Sequence, residues 1–122
     1  MIRRFAVVAF AVFGAMSGFV GMSSAARADE ATSEAIWKRY WMAIEVQKIC
    51  NNAAFSQSQY DNMVHLIDQR INYDLGAGVR HELMADAKTD AFDLTFKYGC
   101  SSPDTRNYLA LFNSDLAPVA GQ

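Results

Sequence analysis

The chain has 122 residues, 52% of them hydrophobic, with 11 basic and 13 acidic side chains and a formal net charge of −2. That length supports one domain with a single modest core and leaves no room for a second. A chain with no excess of positive charge has no bulk attraction to nucleic acid, which excludes nucleic-acid binding as a main role.

The N-terminus reads as an address rather than as fold. Arg3 and Arg4 make a positive start, Phe5 to Phe13 is an unbroken apolar run that Ala15 to Val20 extends, and Ala26-Arg27-Ala28 is an A-x-A cleavage pattern before Asp29. The run is short for a bilayer span and is broken by Gly14, Ser17 and Gly18. Residues 1–28 are therefore expected to be a cleavable signal peptide, with no stable membrane anchor after cleavage and a periplasmic or secreted product. No cysteine lies near the cleavage site to carry a lipid. The Arg3-Arg4 pair lacks the pattern that twin-arginine export needs, so ordinary secretion is expected. Removing 28 residues, three of them arginine, leaves residues 29–122 as a single helical domain of 94 residues with a net charge of −5.

Helix 1 is expected from Ser33 to Ala53. Its apolar residues spread almost all the way round, leaving only Lys38, Glu45, Lys48 and Asn52 as a narrow polar line. A helix this apolar is either central to a bundle or covered by a partner. Trp41 falls within the polar line, so at least one of Trp37 and Trp41 is expected to be part-exposed. The two indoles are the candidate anchors for a protein partner docking on helix 1.

Ile49 to Tyr60 is the corner on which the chain turns. Ser56 and Gln59 form a capping box, and Phe55 and Tyr60 stand where a hydrophobic staple would set the entry angle of helix 2. Helix 2 is predicted over Gln57 to Leu75 from Tyr60, Met63, Val64, Ile67, Ile71 and Leu75, which recur at 3–4 residue spacing. Gly76-Ala77-Gly78 is expected to stop it. Helix 3 is predicted over Val79 to Tyr98, with Leu83, Ala87, Ala91, Leu94 and Tyr98 on one face, broadened by Phe92 and Phe96. Gly99 ends it. Ser102 and Pro103 then open a fourth helix, proline standing at its favoured first position. The tail, residues 117–122, contains Pro118 and little to bury, so fraying is expected.

No stretch alternates with the period of a strand. The expected fold class is an all-α, small four-helix bundle preceded by the cleavable leader. Cys50 and Cys100 are the two cysteines, and an even pair in a small exported domain is read as one long-range disulfide joining the end of helix 1 to the linker after helix 3.

Candidate chemistry is sparse. Glu82, Asp86, Asp90 and Asp93 make a ridge of carboxylates on helix 3, and Asp86, Asp90 and Asp93 are the weak candidates for a hard cation. One rigid helix presents such groups in a row rather than around an ion, so a solvated face with no metal is the expectation, Lys97 offsetting part of the repulsion. His81-Glu82-Leu83 lacks the second histidine of a zinc-peptidase helix, since residue 85 is alanine. There is no C-x-x-C-H for attached haem, no nucleophile elbow and no glycine-rich phosphate loop. No cofactor and no enzymatic activity are expected.

In plan the chain resembles the acid-stress chaperones of the HdeA kind: a mature domain of similar size, helical, exported and closed by one long-range disulfide. The resemblance covers architecture and not a shared motif. It implies a protein that exposes apolar surface on acidification, which the many carboxylates here make physically admissible. The leading expectation is an interaction or accessory module, with an HdeA-like stress chaperone or a small-ligand or metal carrier as the alternatives.

Overall fold

The structure is a computed structural model that describes residues 32–121. The expected signal peptide, residues 1–28, lies outside the described residues. From Thr32 onward the chain is one compact unit, and every regular element among the described residues is helical: α1 (32–50), α2 (Gln57–Arg70), α3 (Ala77–Tyr98) and α4 (Pro103–Leu111). A π-helical turn, Phe112–Leu116, carries α4 into a short α5, Ala117–Ala120.

The local signals for where helices start hold at atomic detail. Gln59 N–H donates to Ser56 Oγ at 3.2 Å and Ser56 N–H to Gln59 Oε1 at 2.8 Å, so the box closes reciprocally. Phe55 meets Tyr60 edge-on, ring centroids 5.6 Å apart. Ser102 caps α4, with Thr105 N–H donating to its hydroxyl and Pro103 in the first turn. Gly99 ends α3 at a φ of 81°, a conformation that suits glycine.

α1 is the central element, and the helix ends three residues before the expected Ala53. Trp37, Tyr40 and every residue from Trp41 to Val46 are buried. The expectation that one indole is part-exposed is corrected: Trp37 is 1% and Trp41 5% exposed. The helical wheel places Trp41 on the polar line correctly, but Tyr60 of α2 stacks over it, planes 16° apart and centroids 6.1 Å. Arg80 of α3 covers Trp37 in the same way, its guanidinium 4.6 Å from the ring centre. α1 and α3 run in the same direction. Ser33 donates to Asp74, Trp37 Nε1 to the Arg80 carbonyl, Lys38 pairs with Asp90, and Cys50 is bonded to Cys100. Ala87 and Ala91, both fully buried, form the small-residue surface that α3 turns to the core.

Three further expectations are corrected. α2 stops at Arg70 rather than Leu75, because Asn72 and Tyr73 turn the chain with left-handed φ values of 54° and 55°. Ile71 and Leu75 are buried all the same, packing from the turn and not from a helix. Gly76 does not close α2; it stands at the N-cap of α3 in an extended conformation. Phe92 and Phe96 do not broaden the inner face of α3. At about 100° per residue they lie round the helix from Ala91, and they are 59% and 83% exposed.

The fraying expected of the tail is replaced by packing. Leu116 is fully buried, Ala120 nearly so, and α5 lies on α2. Pro118 has no N–H to give to the carbonyl of residue 114 and would clash with it in a regular helix. The π-turn immediately before it widens the spiral where that conflict arises, so the helix passes the proline instead of ending there.

That π-turn also places Asp115 against α1 and α2. Tyr40 Oη donates to Asp115 Oδ2 at 2.5 Å, and Arg70 lies 4.0 Å away. The hydrogen bond from Tyr40, then that from Ser114, holds Asp115 below the ordinary 3.8. Burial, followed by the bond to Asp115, raises Tyr40 above 10.0. The bond thus needs a neutral phenol and an ionised carboxylate. A depressed acid contributes stability that is lost as pH falls through its folded value, and a raised phenol contributes stability that is lost as pH rises through its own. Tyr40→Phe is expected to cost about 1–2 kcal/mol at neutral pH and less at pH 2, as acid drives Asp115 towards its protonated form and removes the charge on the acceptor. Urea denaturation of both proteins at the two pH values checks this; an equal cost at both would show that the charge is irrelevant.

Candidate functional site

Two grooves run along α1. The larger, about 810 Å³, lies between α1, α3 and α4. Asp90 and Asp93, two of the three candidate cation ligands, line it. Lys38 Nζ sits 2.6 Å from Asp90 Oδ2, with its own pKa raised chiefly by that hydrogen bond. The Lys38 ammonium therefore neutralises the Asp90 carboxylate. Asp86 is on the same helix but outside the groove, and among the described residues no three His, Cys, Asp or Glu side chains converge for an ion. The charged groups here answer one another across the fold. Lys38 from α1 offsets the Asp90 charge in the acidic ridge, while Lys97 makes no ion pair with Asp93 among the described residues.

The second groove, about 620 Å³, is walled by α1, α2 and α3 and contains both tryptophans singled out by the sequence. The structure brings Trp37 and Trp41 together, ring centroids 6.0 Å apart, with Tyr60 and Val64 from one side and Met84 from the other. They form its floor, largely covered, rather than projecting anchors. Local structure explains each position. The capping box sets the start of α2 and hence Tyr60, while the Asp68–Arg80 pair, 2.6 Å, fixes the start of α3 against the end of α2. Arg80 is thereby neutralised and tied to Asp68 and to the face of Trp37. Glu45 is engaged by Lys48, Nζ to Oε2 3.4 Å, and Asp61 accepts from Gln57. Lys88 and His81 line the α3 wall and make no ion pair among the described residues.

One polar group in this groove stands out. The Trp41 indole N–H is buried and has no hydrogen-bond partner among the described residues. Leaving such a donor unpaired costs about 1–3 kcal/mol, and native folds rarely do so without cause. Residue type singles out Trp37 and Trp41 in the sequence, but Tyr60, Met84 and Lys88 were missed as their neighbours. Only the i, i+4 spacing of Met84 and Lys88 on α3 hints that they share a side.

His65 is exposed on α2, within 3.3 Å of Gln69 and 3.4 Å of the Tyr73 hydroxyl. His81 is exposed and separate from it. No helix among the described residues is long and apolar enough to cross a membrane. No protein-family model, no curated protein and no solved structure matches the chain.

Proposed function

We propose that this protein is an exported binding module, not an enzyme: an accessory helical domain that receives an apolar segment of a partner protein in the groove of Trp37 and Trp41. In this reading residues 1–28 are a leader removed before Asp29, and the mature domain works in the periplasm or outside the cell, without a cofactor. The observation that carries it is the aromatic groove whose floor is the Trp37–Trp41 pair and whose walls are Tyr60, Val64 and Met84. A wall of Tyr60, Val64 and Met84 offers apolar contact, and two of its charged groups, Arg80 and Glu45, are already paired. The disulfide supports export, since such bonds persist in oxidising compartments.

The test is a photo-cross-linking amino acid at Asp61, an exposed position on the groove rim, in cells making the full-length chain. The same residue at Gln69, exposed but not lining the groove, is the control. A discrete protein adduct from position 61 and none from position 69 is expected. No adduct, or the same adducts from both, overturns the reading; a small-molecule adduct replaces it with the carrier.

The acid-stress chaperone stands as a second reading because the tie between α1 and the π-turn depends on an ionised carboxylate, Asp115, which Tyr40 holds below its ordinary range. Acid weakens that tie as it protonates Asp115. A protein that keeps its fold at pH 2–3 and fails to suppress the aggregation of another protein there would remove this alternative.

A further inference from the structure

The last two turns of α3 are held to the rest of the fold differently from the turns before them. The buried residues of α3 are Ala87 and Ala91, both small. Beyond Ala91, none of the residues from Phe92 to Tyr98 is buried, and Leu94 alone among them packs in part against the core. Their other contacts stay inside the helix. The Thr95 hydroxyl donates to the carbonyls of Ala91 and Phe92, Phe92 stacks on Phe96, and the Lys97 ammonium lies over Tyr98. The polar ties of α3 to α1 and α2 come earlier in the chain, from Arg80 to Asp68 and Trp37 and from Asp90 to Lys38. After Tyr98 the chain is fastened to α1 by the Cys50–Cys100 bond and to α4 by the Thr105 hydroxyl, which donates to the Gly99 carbonyl at 3.0 Å. A helix end with so little buried surface belongs to the low-stability part of a fold. Here a covalent bond at its tip supplies what packing does not.

We propose that the Cys50–Cys100 bond is a redox latch on the larger groove, the one between α1, α3 and α4. Four residues of its α3 wall, Asp93, Leu94, Lys97 and Tyr98, lie beyond Ala91, and only Asp90 lies before it. The α3 wall of the tryptophan groove runs instead from Ala77 to Lys88, within the anchored part of the helix. Reduction therefore opens one groove and leaves the other standing. Cys100 is exposed and Cys50 half-buried, so Cys100 is the one that an incoming thiolate meets. One thiolate of a dithiol reductant bonds to Cys100 Sγ as the Cys50–Cys100 bond breaks. The electron pair leaves on Cys50 Sγ, which takes a proton from water. The second thiolate of the reductant then attacks the mixed disulfide, releasing Cys100 as a thiolate and closing the reductant's own disulfide. Two electrons have passed to the protein, and the end of α3 is free to leave α1.

Hydrogen exchange read by mass spectrometry, on the purified chain with and without dithiothreitol, tests this. In the oxidised chain residues 57–70, 80–91 and 92–99 are all expected to exchange at least about a hundredfold slower than an unstructured peptide. In the reduced chain residues 92–99 should come within about tenfold of such a peptide, while the other two stretches stay at least about a hundredfold slower. Cys50→Ser with Cys100→Ser should give the reduced pattern without any reductant. Protection of residues 92–99 that is the same in both states, or that persists in the double variant, overturns the latch, since packing would then set the state of the helix end. Loss of protection in all three stretches together overturns it too, because the bond would then hold the whole fold. Neither result depends on what the grooves bind.

Discussion

Replacing both cysteines, Cys50→Ser with Cys100→Ser, is expected to lower the free energy of unfolding by about 4 kcal/mol, the chain-entropy value for a closed loop of this length. The bond joins residues 50 apart in the chain. It limits the unfolded ensemble far more than it adds contacts to the folded one. Against a total stability of about 5–15 kcal/mol for a domain of this size, that is enough to leave the reduced protein marginal near its melting range. Cys100 is exposed and Cys50 half-buried, so a reductant added to the native protein should reproduce the effect of the double variant. Urea denaturation of the oxidised, reduced and doubly substituted proteins checks it. A difference below about 1 kcal/mol would mean that the unfolded chain retains the contact without the bond.

Trp37→Ala should cost about 3–5 kcal/mol, the range for removing a large buried aromatic side chain. Trp37 is 1% exposed, donates its indole N–H to the Arg80 carbonyl at 3.2 Å and lies under the Arg80 guanidinium. The substitution opens a void in the centre of the bundle and loosens the start of α3 at once. Thermal melting against the unsubstituted chain measures it, and a melting point within a degree or two would place Trp37 outside the core. The size of this effect also governs how the groove may be probed. Loss of partner binding in Trp37→Ala would report unfolding, which is why the cross-linking test uses the exposed Asp61.

Signals confined to one turn of chain are legible in the amino-acid sequence alone. Ser56 with Gln59, Ser102 with Pro103, and Gly99 are local pairings or local dihedral preferences, and all three stand at the expected helix ends. The Cys50–Cys100 bond is legible for a simpler reason: two cysteines allow one intrachain pair. What is not legible depends on neighbours distant in sequence. Trp41 falls on the polar line of its own helix, and only Tyr60 arriving from α2 covers it. Ile71 and Leu75 keep helical spacing through a turn, because burial at the end of a bundle imposes the same apolar choice that a helix face does. The chemistry of Phe92 and Phe96 suggests an inward position, although their angle round α3 sends them outward. For the candidate site, residue type identifies the two tryptophans, while the groove itself exists only once α2 and α3 are folded beside them.

The reach of the disulfide along the chain sets a limit of a different kind. The bond closes a ring that holds all of α2 and α3, whereas the body of α1 and everything from Ser101 onward lie outside it. Unfolding therefore yields a loop with two tails rather than a single thread. An unfoldase that draws in one end must pull three strands abreast through its pore when it reaches Cys50 or Cys100, both arms of the loop and the other tail, or stall there. The oxidised protein is thus guarded against processive destruction in a way that its folding free energy does not measure, and reduction is the step that makes it a thread.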